Sequence, residues 1–145
     1  MTLPRRASRI AIRALFLVAA VGCDDTMTGP SPTPTPSGPT PTPSVARTVY
    51  VGTDATGQRT NAFFDPVSGT STSTIPVGSA IQWVWRSGTH STTSGTCPFG
   101  CVADGLWDSG IGSGMVFQHG FPTAGTFPYF CQVHGTMMQG TVIVQ

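Results

Sequence analysis

Thr126-Phe-Pro-Tyr-Phe-Cys131-Gln-Val-His134-Gly-Thr-Met137-Met138-Gln-Gly140-Thr-Val-Ile-Val-Gln145 closes the chain. It reads as strand, loop, strand: an aromatic run over 126–131 entered through Ala124-Gly125, and a β-branched run over 140–145. Upstream, Met115–Phe121 is another strand, and Ala80-Ile-Gln-Trp-Val-Trp85 puts Ile81, Trp83 and Trp85 on one face by period-two alternation. Ile75–Ser79 reads as a short strand and turn, and Thr48–Val51 as the first strand. Trp83, Trp85 and Phe127 are core aromatics on this reading. No window carries a helical period with caps. Many short strands separated by Gly, Pro, Ser and Thr predict an all-β, antiparallel sandwich over 45–145. Residues 94–114 form a Gly-rich excursion that alternation does not explain.

The chain before Val45 is of a different kind. Residues 1–22 hold Arg5, Arg6, Arg9 and Arg13, then the apolar run Ala14–Val21 and Gly22, the pattern of an export signal. The run is short for a bilayer-spanning helix. Ala20-Val21-Gly22-Cys23 is similar to a bacterial lipobox, so Cys23 is a candidate lipidation site and membrane anchor. The Pro- and Thr-rich linker that completes 23–44 cannot build a core and favours polyproline II. At about 3.1 Å per residue the Pro-rich stretch would reach roughly 50 Å, a semi-rigid stalk. Export predicts a periplasmic or cell-surface location.

Charge excludes one class. The chain has no Lys and no Glu, and its folded part sets Arg47, Arg59 and Arg86 against Asp54, Asp65, Asp104 and Asp108. Without a basic face, nucleic-acid binding is set aside.

Cysteines narrow the chemistry. With Cys23 lipidated, Cys97, Cys101 and Cys131 remain, an odd number in a compartment that favours disulfides. Cys97 and Cys101 share a loop, Cys97-Pro-Phe-Gly-Cys101, and are a candidate disulfide. Cys131 is left unpaired beside His134, Met137 and Met138. Sulfur ligands with imidazole suit copper, and two His and one Cys with a weak axial Met describe a blue copper site. His90, just beyond the Ile81/Trp83/Trp85 strand, supplies the second imidazole. Singly, His90 would be an ordinary polar loop residue, Cys131 half of a disulfide, and the methionines packing. Their joint occurrence, in this order and on these elements, favours a metal site. His119, between Phe117 and Phe121 at period two, is read as structural.

These residues resemble the cupredoxin family, nearest its plastocyanin, amicyanin and azurin group. The likeness covers most of 45–145. It rests on Gly78-x-x-Ile81-x-Trp83, the His90 loop, Gly125-Thr-Phe-x-Tyr-x-Cys131 and the Cys131-x-x-His134 loop. The resemblance implies a Greek-key sandwich with one type 1 copper on His90, Cys131, His134 and Met138. Met138 is chosen over Met137 because the family's Met precedes x-Gly-x-Val, as in Met138-Gln-Gly140-Thr-Val142. The His-x-x-x-Met spacing is one residue longer than in amicyanin and shorter than is usual in plastocyanin. Ser91 stands where the family often has Asn. The resemblance further implies a monomeric electron carrier, not an enzyme, docking redox proteins through an apolar patch near His134. A copper-delivery protein without a redox partner is the main alternative, and a metal-free adhesive or structural sandwich the third.

Overall fold

In the computed structural model, residues 42–145 are described. The export signal over 1–22, Cys23 and the linker up to residue 41 lie outside the described residues. All nine elements among the described residues are strands: β1 Val45–Thr53, β2 Arg59–Phe64, β3 Thr72–Ile75, β4 Ala80–Trp85, β5 Thr93–Thr96, β6 Val102–Asp108, β7 Val116–Gly120, β8 Gly125–Cys131 and β9 Gly135–Val144. They form a four-stranded sheet, β2-β1-β4-β7, facing a five-stranded one, β3-β9-β8-β5-β6.

The alternation of β4 sets the inner face of the first sheet. Ile81, Trp83 and Trp85 are buried, whereas Gln82 and Val84 between them are only partly covered. From the opposite sheet, β8 contributes Tyr129 and β9 contributes Met138, Val142 and Val144. Trp83 lies at the centre, edge-on to Tyr129 at 5.5 Å and stacked on Trp107 at 5.7 Å between ring centroids. Each such ring removes on the order of 150–250 Å² from water, so this aromatic group dominates the core energetics.

Both sheets are mixed, where turn spacing alone suggested antiparallel pairing throughout. β1 pairs parallel with β4, and β3 pairs parallel with β9. A parallel pair needs a long crossover, and residues 54–79 provide one. This segment first folds back as β2 beside β1, then crosses to the other sheet as β3 before returning as β4. Pro128, in the interior of β8, is tolerated because β5 pairs with β8 only at Tyr129 and Phe130. At Pro128 the strand has β9 as its one neighbour, so the missing N–H breaks no ladder on the other side.

The short strand and turn expected over Ile75–Ser79 overlap β3 only at Ile75, and β2, β5 and β6 were not anticipated from the sequence. The last two account for the 94–114 excursion: β5 and β6 pair as an antiparallel hairpin at the edge of the second sheet. Cys97 and Cys101, in the turn between them, are joined in a disulfide.

Candidate metal centre

His90 follows β4 at the end of a short Ser-Gly turn. Its backbone N–H and C=O both pair with Gly112, at 2.9 and 3.0 Å, and Trp85 Nε1 donates to its carbonyl at 3.2 Å. The imidazole is 2% exposed. Gly52 and Gly88 crowd its Nε2 side, both at positive φ (83° and 72°). A Cβ on Gly52 would lie 2.9 Å from His90 Nε2, and one on Gly88 would lie 2.5 Å from it. Glycine is required twice here, for backbone conformation and for room. The ring is thereby held with Nδ1 turned inward.

Cys131 ends β8, fully buried and unpaired. The chain turns at once: His134 N donates to the Cys131 carbonyl at 3.2 Å, and Met137 N to the His134 carbonyl at 3.1 Å. This tight turn brings His134 Nδ1 to 3.4 Å from Cys131 Sγ. His90 Nδ1 lies 3.8 Å from the same sulfur and 3.2 Å from His134 Nδ1. Among the described residues, His90, Cys131 and His134 form the cluster able to hold a metal ion. A triangle of this size is what three N/S ligands about 2.0–2.3 Å from a common ion would span.

The donor chemistry fits copper. One thiol and two imidazole nitrogens converge, the set that suits copper in a trigonal site with a weak axial thioether. Burial, and then the neighbouring His134, pull the His90 pKa below its ordinary value, with the Ser87 carbonyl acting the other way. Two nitrogens 3.2 Å apart disfavour a second proton between them, and a neutral imidazole is the form that ligates.

Of the two methionines, Met138 is 1% exposed and shares the buried cluster with Cys131, whereas Met137 is 74% exposed. Their alternation along β9 sends one inward and the other to solvent. His119 stands apart from the trio. It packs at a tilt against Trp107, 5.0 Å between centroids, and burial lowers its pKa.

The Cys131 sulfur is also held by Ser91, the residue singled out after His90 in the sequence. Ser91 N donates to Sγ at 3.4 Å, while the Ser91 hydroxyl accepts from Gln132 N at 2.9 Å. The residue after His90 thus ties the two ligand-bearing loops together, through a hydroxyl. The disulfide hairpin leans on the same region: a Cβ on Gly135 would sit 3.6 Å from Cys101 Sγ. Val133 and Met137, exposed on either side of the half-buried His134, complete the surface there.

No family model matches the chain, and no curated protein does. Among solved structures the chain is similar to a purple cupredoxin from Nitrosopumilus maritimus, at 24% identity and a TM-score of 0.51, over 68% of this chain and 98% of that one. An amicyanin mutant (16% identity, TM-score 0.49, 70% and 82% covered) and a mutant fern plastocyanin (20%, 0.47, 68% and 99%) are further neighbours. At these identities the likeness is one of fold. The chain has the cupredoxin fold.

Proposed function

We propose that this chain is a type 1 copper protein that carries single electrons between redox proteins outside the cytoplasm. Copper would be held by His90, Cys131 and His134, with the Met138 thioether as a fourth group. One observation carries the reading: a buried free thiol and two imidazole Nδ1 atoms converge within 4.8 Å of one another. When bound, copper supplies the Cu(II)/Cu(I) couple.

The residues of this chain supply what makes such a couple fast. His90 is fixed by paired backbone groups and by the Gly52–Gly88 cradle, so its ring moves little between oxidation states. The Ser91 N–H withdraws electron density from Cys131 Sγ, one of the levers that tune a type 1 potential. Four protein side chains leave no open position for substrate, which favours a carrier over an enzyme. His134 is partly exposed between Val133 and Met137 and is the natural port for electrons. A small, weak interface there suits a partner that must leave quickly. Export is supported by the Cys97–Cys101 disulfide, which persists in oxidising compartments. A lipid on Cys23 would hold the domain at a membrane surface.

Copper delivery is the rival reading, and exposed Met137 favours it, since a surface thioether could receive Cu(I) from a donor. Voltammetry of the copper-loaded protein beside a Cu(I) chelator separates the two. A reversible one-electron wave with copper retained supports the carrier. Rapid loss of copper to the chelator, with no stable wave, supports delivery.

A further inference from the structure

Two hydroxyls beside the metal centre are fully buried, and buried hydroxyls need partners. Ser91 is 0% exposed and Thr93 is 1%. Tracing their protons leads to Asp108 at the end of β6. Its carboxylate can only accept. Asp108 Oδ1 takes the Thr93 hydroxyl proton at 3.0 Å and the Gly110 N–H at 2.9 Å; Oδ2 takes a Gln132 Nε2 proton at 2.7 Å. The second Gln132 Nε2 proton goes to Thr93 Oγ1 at 3.0 Å. Thr93 has then spent its proton, so at the 3.1 Å contact between Ser91 Oγ and Thr93 Oγ1 the serine must donate. A Ser91 lone pair is left facing Gln132 N at 2.9 Å, and Ser91 N is left facing Cys131 Sγ at 3.4 Å. The Ser91 and Thr93 hydroxyls and the Gln132 donors all point towards Asp108, and the acceptor-only carboxylate sets that direction. The backbone N–H of Ser91, held in place by this chain, points the other way, to Sγ.

We propose that Asp108 is a positioning residue for the metal centre: from the sheet edge it fixes, through Thr93, Gln132 and Ser91, the N–H···Sγ contact on Cys131. This rests on the type 1 copper reading. Asp108 is exposed while the sulfur it governs is buried, so a surface carboxylate is wired to the metal thiolate across three strands. Thr93 is the junction, paired with Asp108 on β6 and with Phe130 on β8. Cooperative polarisation along such a chain makes its members act as a unit. A removed carboxylate would also act through space, by charge alone, and that contribution is independent of Gln132.

The test is a double-mutant cycle read as midpoint potential in the copper-loaded protein, with Asp108→Ala, Gln132→Ala and the pair. Asp104→Ala is the control, since it removes an equal charge from the same strand and, among the described residues, the Asp104 carboxylate bonds only to Leu106 N. Gln132→Ala is expected to lower the potential, because the N–H···Sγ contact favours the electron-rich reduced sulfur. The Asp108→Ala shift should differ between the wild-type and Gln132→Ala backgrounds. Equal Asp108→Ala shifts in both backgrounds, matching that of Asp104→Ala, would overturn the proposal. Amide exchange in the metal-free protein gives a second readout: Asp108→Ala should speed exchange at Gln132 N–H about tenfold. Unchanged exchange there overturns the wiring whether or not copper binds. Should Asp108→Ala not fold, Asp108→Asn keeps the shape but turns one acceptor into a donor facing Gln132, and the same losses are expected. A protein with no thiolate-to-copper band would refute the type 1 reading, while the exchange result still decides whether Asp108 holds the two loops.

Discussion

The two imidazoles of the trio are held in opposite ways. His90 comes from the loop after β4 and is enclosed: both backbone groups are paired, its carbonyl accepts from Trp85, and two glycines leave room for the ring and nothing more. His134 comes from the turn after β8 and is partly open, between exposed Val133 and Met137. The sandwich therefore fixes one side of the site through packing and leaves the other at the surface. Rigidity and access, which conflict within a single loop, are divided between two.

The largest way to break this contrast is Gly52→Ala. It forces an L side chain into positive φ and drives a methyl group at the Ser87 carbonyl and the His90 ring. Backbone strain and overpacking together should cost about 2–5 kcal/mol, read by urea unfolding of the metal-free protein. A loss below about 0.5 kcal/mol, the size of an ordinary surface change, would mean the cradle is not required.

A smaller effect comes from pH. Burial lowers the pKa of both His90 and His119 from 6.5. A histidine depressed in the folded state binds fewer protons there than when unfolded. Stability of the metal-free domain should thus be complete above about pH 6.5 and decline as pH falls from there towards the folded values. Urea midpoints at a series of pH values check this. His119→Gln should flatten the decline without abolishing it, because His90 remains. A midpoint that rises on acidification would contradict the burial of both rings.

The smallest effect is expected on the open side. Met137→Ala should change stability by no more than about 0.5 kcal/mol, while slowing electron exchange with a redox partner. If unfolding shows a loss as large as that of Gly52→Ala, the His134 side is as tightly built as the His90 side.

What could be read from the sequence follows the same division. β4 was legible because aromatic and branched residues alternate against a buried face, and β8 because an aromatic run follows the Ala124-Gly125 turn. The Cys131-x-x-His134 turn was legible because its residue types are chemically unusual together. β6 was not: it lies at a sheet edge with only Trp107 buried, and its other large apolar residues, Val102 and Leu106, are exposed and out of step with Trp107, so no period can be read. β5 failed for the converse reason. Thr93, Ser94 and Gly95 are buried but polar or small, and their burial is sustained by hydrogen bonds such as Ser94 Oγ to the Trp107 carbonyl, which no hydropathy pattern reports. The parallel pairs depend on which sheet β3 joins, a long-range choice made by packing. The contacts on Cys131 Sγ belong to that hidden class too. Ser91, Gln132 and Asp108 are far apart in sequence and ordinary in type, and only the folded edge of the second sheet brings them into one chain of hydrogen bonds.

The most direct test is the visible absorption spectrum of the protein after addition of Cu(II), recorded beside Cys131→Ser. An intense thiolate-to-copper band that vanishes in Cys131→Ser is the expected result. A colourless protein, or a weak band indifferent to Cys131, would contradict a type 1 copper site in this fold.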